Sequence, residues 1–136
     1  MRHLALAVLG CGLAACSLPT GSNAGAADLR GSWQLSADQA VPSASFEGTL
    51  LIERQEGDLI LGSASWSERD GTGSMVWRAG AVSGRVIESS DADFDIVVDG
   101  VVRRHVARLS ADTMSGTWIQ FTSGARGSFR AVRALP

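Results

Sequence analysis

Lysine is absent from the chain, so all twelve basic side chains are arginines, and fourteen carboxylates outweigh them to leave a formal net charge of −2. That balance supplies no positive field for a polyphosphate backbone and argues against nucleic acid as a partner. Only two cysteines occur, Cys11 and Cys16, and only three prolines, none of which interrupts a candidate strand. No stretch beyond the first residues keeps a helical hydrophobic period for three turns. No apolar run reaches the roughly 20 residues that a membrane-spanning helix needs. The chain also lacks a Gly-x-Ser-x-Gly nucleophile elbow and a glycine-centred calcium loop, which argues against the chemistries those motifs carry.

What is present is sixteen glycines and short runs rich in Val, Ile, Trp and Thr, the composition of strands joined by tight turns. An all-β fold is expected. With 136 residues there is room for one domain, and removal of an export segment would leave about 120, enough for a single core.

The first residues read as an address. Arg2 and His3 give a short polar start, Leu4 to Leu13 are apolar throughout, and Ala14 and Ala15 are small, which is the three-part layout of a secretory signal. Leu13-Ala14-Ala15-Cys16 resembles the lipobox of bacterial lipoproteins at every position. The resemblance implies cleavage before Cys16, diacylglycerol on its sulfur and acylation of its new amino group. Two or three chains at about 0.8 kcal/mol per buried methylene make a lasting anchor. Ser17 differs from the aspartate associated with inner-membrane retention, so an outer-membrane location facing the periplasm is expected. Cys11 then leaves with the signal and Cys16 is consumed by lipid, so no thiol remains for a disulfide or a thiolate metal site. The expected organisation is a signal peptide at 1–15, the lipidated cysteine with a flexible tether at 16–27, and a folded domain at 28–136.

Within that domain short apolar-rich segments recur every 10 to 15 residues, near 31–36, 46–54, 58–67, 74–88, 92–98, 101–110, 113–121 and 127–134. This spacing predicts a sandwich or barrel. The segment 74–88 is long and broken at Gly80, which leaves eight strands or nine open. Asp99-Gly100 is a favoured two-residue hairpin turn; it pairs Val98 with Val101, Ile96 with Arg103, Asp95 with Arg104 and Phe94 with His105. Glu56-Gly57 is taken as a second such turn, which places Leu50 and Ile52 on the face of Leu61 and Ser63. Small inward residues, Gly48, Ser63 and Ser65, would leave room inside. An antiparallel meander loses its exposed edges by closing, and eight strands enclose side chains or one small ligand. Gly31-Ser32-Trp33 on the first strand resembles the Gly-x-Trp of lipocalins and related calycins. The resemblance implies an up-and-down barrel and an arginine of the last strand, Arg130 or Arg133, packed over Trp33. The chain is shorter than most lipocalins and lacks their usual helix and disulfide.

Histidine survives only at position 105 once the signal is gone, and the Asp99-Gly100 register turns it inward beside Arg103. The pair is then a polar anchor for the head group of an apolar ligand; alternatively a bulge across Val101–Arg104 turns both outward. A lone histidine flanked by arginines is a poor general base. Trp33, Trp66, Trp77 and Trp118 are core plugs or pocket walls. Asp91, Asp93 and Asp95 share one face, and a solvated ladder against Arg104 and Arg108 accounts for them better than a metal site. Gly71-Thr72-Gly73 reads as a turn. The expected function is a monomeric, non-enzymatic, cofactor-free barrel, tethered through Cys16, that binds a small hydrophobic ligand or an envelope component. Trp33, Phe94, Ile96, Arg103, His105 and Trp118 are its candidate ligand-binding residues. A protein-binding module such as a periplasmic protease inhibitor, or a structural envelope protein, is the alternative.

Overall fold

The computed structural model describes residues 25–135; the segment 1–15, Cys16 and the tether as far as residue 24 lie outside them. Eight strands follow one another: β1 (Gly31–Gln39), β2 (Ala44–Glu56), β3 (Leu59–Asp70), β4 (Met75–Ile87), β5 (Asp91–Val98), β6 (Val101–Ser110), β7 (Thr113–Gln120) and β8 (Arg126–Arg133). Each pairs antiparallel with its neighbours, and β1 pairs with β8, so the sheet closes into a barrel. The expectation of a single closed antiparallel barrel holds.

The segment near Gly80 is one strand, not two. Gly80 does not break β4 because its missing side chain admits β5: a Cβ there would meet the carbonyl oxygen of Val97 and the side chain of Val98. The β5–β6 hairpin has the expected register, with Phe94 opposite His105 and Ile96 opposite Arg103. Asp99 and Gly100 both adopt positive φ, 50° and 77°, as a mirror-image two-residue turn requires.

The β2–β3 hairpin departs from the expectation. Its turn is Gly57-Asp58, with Glu56 opposite Leu59, and the register shifts between Ile52 and Arg54. Leu50 faces Ala64 and Ile52 faces Gly62. The turn displacement alone would keep the faces, but the bulge at Glu53 shifts the pairing by one residue and inverts them, so Leu61, Ser63 and Ser65 point outward and are exposed. The inward glycines Gly48 and Gly62 instead bring the backbones of β2 and β3 close together inside.

One end of the barrel is capped by the chain that precedes β1. Leu29 is buried, and Ala26 and Ala27 pack partly against the core. Gln55 ties this segment down: its Nε2 donates to Ala27 O (2.9 Å) and its Oε1 accepts from Leu29 N–H (2.8 Å). Trp33 Nε1 donates to Leu29 O (2.9 Å), and the guanidinium of Arg133 lies over the Trp33 ring, 4.3 Å from its centroid. Of the two candidate arginines, Arg133 makes the contact, whereas Arg130 points to solvent. The loops β1–β2, β3–β4, β5–β6 and β7–β8 surround the opposite end, the mouth.

Candidate binding site

Parity along β6 decides what the mouth contains. Pairing of β6 with β5 runs from Val101 to Arg108 with no bulge, so Arg103 and His105 both turn inward and the outward alternative fails. Burying a guanidinium is costly unless partners replace water. Here they come from two other strands: Arg103 Nη2 lies 3.4 Å from Glu68 Oε2 on β3, and Arg103 Nε donates to Gln120 Oε1 on β7 (3.1 Å). The guanidinium carbon also sits 5.3 Å from each of the Phe46, Trp66 and Trp118 ring centroids, within reach for cation–π attraction. The side chain is 16% exposed. Desolvation lowers the Arg103 pKa from its ordinary value, and the charge of Glu68 opposes that shift.

His105 lies one layer deeper and is 5% exposed. Its ring stacks on Phe94 (5.0 Å, 3°) and meets Phe129 edge-on (5.1 Å, 81°). Nδ1 is 3.0 Å from the Arg103 carbonyl oxygen, and since a carbonyl only accepts, Nδ1 carries the proton of the neutral ring. Burial is the main force pushing the His105 pKa down to about 4. At neutral pH the imidazole is therefore uncharged and already committed to the backbone.

Beneath Arg103 is a cavity of about 20 Å³ lined by Leu35, Ala37, Phe46, Trp66, Ile96, Arg103, His105 and Trp118. That is space for about one water molecule, against the roughly 300 Å³ or more of a ligand pocket. The interior is filled, and the expected room around Ser63 and Ser65 does not exist because those residues face out. Two donors in this filled region, Trp66 Nε1 and Trp118 Nε1, are buried with no hydrogen-bond partner among the described residues. Leaving such a group unpaired costs about 1–3 kcal/mol.

Of the residues singled out in the sequence, Ile96, Arg103, His105 and Trp118 line this cavity, and Phe94 supports it from below. Trp33 does not join them: it belongs to the capped end, with Leu29 and Arg133. Trp77 is neither plug nor wall, being 73% exposed on the outside of β4. Phe46, Glu68 and Gln120 were not anticipated. Their approach to Arg103 depends on the β2–β3 and β6–β7 registers, and sequence alternation marks only that Phe46 faces inward.

Outside the barrel, Asp91, Asp93 and Asp95 form the expected charged ladder, with Arg104 2.9 Å from Asp95 and Arg108 3.4 Å from Asp91. Among the described residues no group of three potential metal ligands converges. Gly71-Thr72-Gly73 is a turn, organised by Asp70 Oδ1 accepting from the N–H groups of Thr72 and Ser74. A shallow concavity of about 620 Å³ lies on the outer face of β2–β6, where Leu59 and Leu61 stand among Arg54, Arg85, Asp93 and Arg104.

No family model and no curated protein matches the chain. Several solved structures share its fold. One is the barrel EF1p2_mFAP2b bound to DFHBI, with a TM-score of 0.62 and 12% identity over 78% of this chain and 94% of that one. A second is the redesigned β-barrel mFAP1 bound to DFHBI, with a TM-score of 0.62 and 9% identity over 77% of this chain and 94% of that one. A third is a de novo designed fluorescence-activating β-barrel, with a TM-score of 0.55 and 15% identity over 77% and 93%. At such identities the likeness is one of fold. The class is therefore a small, single, closed eight-stranded antiparallel β-barrel.

Proposed function

We propose that the protein is a lipid-anchored, non-enzymatic binding protein of the bacterial cell envelope, held at the outer membrane through Cys16, whose barrel mouth takes a small anionic ligand with an apolar body. One observation carries the binding reading. A largely buried cation, Arg103, lies against three aromatic rings, two of them indoles whose N–H groups lack partners among the described residues. A cation on apolar ground suits an acid group. Barrels of this fold bound to DFHBI lend support. Because the interior is filled, the ligand's body rests at the mouth, where Val76 is 45% exposed, or enters as Arg103 swings aside.

The test uses anilinonaphthalene sulfonate as probe. A one-to-one complex is expected, and Arg103→Met, which keeps the stem and removes the charge, should weaken it about tenfold or more, the value of a charge-assisted hydrogen bond. Equal affinity in the two proteins overturns the reading. The anchor rests on Leu13-Ala14-Ala15-Cys16. A Cys16→Ser chain should be exported yet carry no acyl label and leave the membrane fraction; persistent labelling contradicts it.

A second reading, a protein-binding module such as a periplasmic protease inhibitor, is favoured by the filled interior, whose cavity is only about 20 Å³.

A further inference from the structure

The hairpins around the mouth stand at different heights. Pairing of β4 with β3 continues to Met75, whereas pairing of β4 with β5 covers only Ala81–Ile87, because β5 turns away at Asp99-Gly100. Met75–Ala79 is therefore bonded on one side only, a free edge at the mouth of the staggered barrel. Two bonds fix where its backbone groups point. Val86 N–H donates to Asp58 O (2.7 Å), and Ser74 O accepts from Asp70 N–H (3.0 Å), both on the β3 side. In an antiparallel ladder both groups of one residue point the same way and successive residues alternate. Even-numbered residues of β4 thus serve β3, and Met75, Trp77 and Ala79 turn N–H and C=O to the open side. No backbone partner among the described residues meets them.

The side chains beside this edge are unusual for an exposed strand. Free edges are ordinarily blunted with charge, proline or a bulge. Here Met75 and Trp77 face outward, 50% and 73% exposed. On the inward face stands Arg78, whose carboxylate partner, Asp99 at the foot of the notch, is 3.9 Å away.

We propose that the Met75–Ala79 edge accepts an extended peptide segment of another protein as an added strand in line with β5. Apolar side chains of the segment cover Met75 and Trp77, and a carboxylate on its alternate face meets Arg78. Three features select this occupant. A lipid surface would bury the apolar side chains but leave the backbone groups unpaired in hydrocarbon, at several kcal/mol each. A second copy would gain too little: the edge is roughly 16 Å long at about 3.3 Å per residue, too short for a strand-to-strand contact to bury the roughly 800 Å² per partner of a stable interface. Of the chain that precedes β1, the described residues Ala27 and Leu29 are tied down at the capped end, away from the mouth. An added strand satisfies the main chain, the apolar wall and the cation together.

The experiment is amide exchange of the full chain in detergent micelles, read residue by residue by NMR. The probe is a capped heptapeptide, Val-Thr-Val-Glu-Val-Thr-Val. Without peptide, the Met75, Trp77 and Ala79 amides should exchange fast and those of Val76 and Arg78 slowly. Saturating peptide should slow the first three at least tenfold. Replacing the peptide's glutamate with glutamine, or Arg78→Gln in the protein, should each weaken binding about tenfold. Trp77→Ala, on an exposed side chain that leaves folding unaffected, should weaken it comparably. The proposal is overturned if the three amides are already protected in the monomer, if millimolar peptide leaves them unprotected, or if protection follows protein concentration or added phosphatidylcholine vesicles instead of peptide.

Discussion

Arg133, near the end of the last strand, lies flat on Trp33, near the start of the first, with its guanidinium carbon 4.3 Å from the ring centroid. From there its Nη1 and Nη2 donate to the carbonyl oxygens of Arg30 (2.7 Å) and Asp28 (2.9 Å). One side chain thus joins the two strands that close the barrel and straps the preceding segment over the capped end. Arg133→Met keeps the bulk of the stem but loses the stack, both bonds and the exposed contact of Nε with Asp112 (3.2 Å), and should cost about 2 kcal/mol in urea unfolding. Arg133→Lys should recover less than half, because an ammonium cannot stack and fork at once.

The resemblance of Gly31-Ser32-Trp33 to the lipocalin motif implies such a contact but leaves Arg130 and Arg133 open, and the register of β8 against β1 decides between them. The β5–β6 hairpin was legible for a local reason: Asp99 and Gly100 both take left-handed conformations, a demand that few dipeptides meet. The β2–β3 hairpin was not. Gly57 has positive φ, 63°, yet a single glycine fits either position of a two-residue turn, and the irregularity near Glu53 leaves no compositional mark. Parity from the Asp99-Gly100 turn offers the inward direction of Arg103, but a bulge turning it outward stays open in the sequence, and the unbroken β5–β6 pairing excludes it. Gln120 is the register partner of Arg103 across the β6–β7 hairpin, whereas Glu68 comes from β3, 35 residues away in sequence, and only the closed barrel brings it to Arg103.

The corrected register is open to a direct check through a matched pair of substitutions on neighbouring strands. Gly48 is on the inner face, and a Cβ there would meet the Ser65 carbonyl and the Trp66 backbone. Gly48→Ala should therefore push β2 from β3 and cost about 1–3 kcal/mol or more in denaturant unfolding. Ser65 faces solvent, so Ser65→Ala should change stability by less than about 0.5 kcal/mol. The opposite order would restore the alternative facing of β3.

Asp95 accepts from Arg104 Nε (2.9 Å) and Nη2 (3.0 Å), and this pairing holds its carboxyl below the usual range against the effect of burial. The geometry is bidentate, but the Arg104 side chain is 46% exposed, so water and salt screen the attraction. Asp95→Asn should cost no more than about 1 kcal/mol at low salt. Repeating the unfolding titration in 1 M salt, where the Debye length is about 3 Å, should shrink the difference between the two proteins.

His105 should govern how stability depends on pH in the weakly acidic range. Its folded pKa, about 4, lies below the ordinary value of 6.5, so the unfolded chain takes up a proton over an interval in which the folded chain does not. Stability then falls as pH is lowered from about 6.5 to about 4 and stops responding to this group below that, where both states are protonated. The full difference amounts to up to about 3 kcal/mol. Burial outweighs the other influences: the hydrogen bond to the Arg103 carbonyl and the charge of Asp95 raise the pKa, and the charge of Arg103 lowers it. Asp28 is held down to about 2 by Arg30, so its own contribution is lost only below about pH 4, outside the histidine window. Urea midpoints measured at pH 7 and pH 4.5 should differ clearly for the native chain and much less for His105→Phe. Similar pH slopes for the two proteins would mean that the imidazole is protonated inside the barrel.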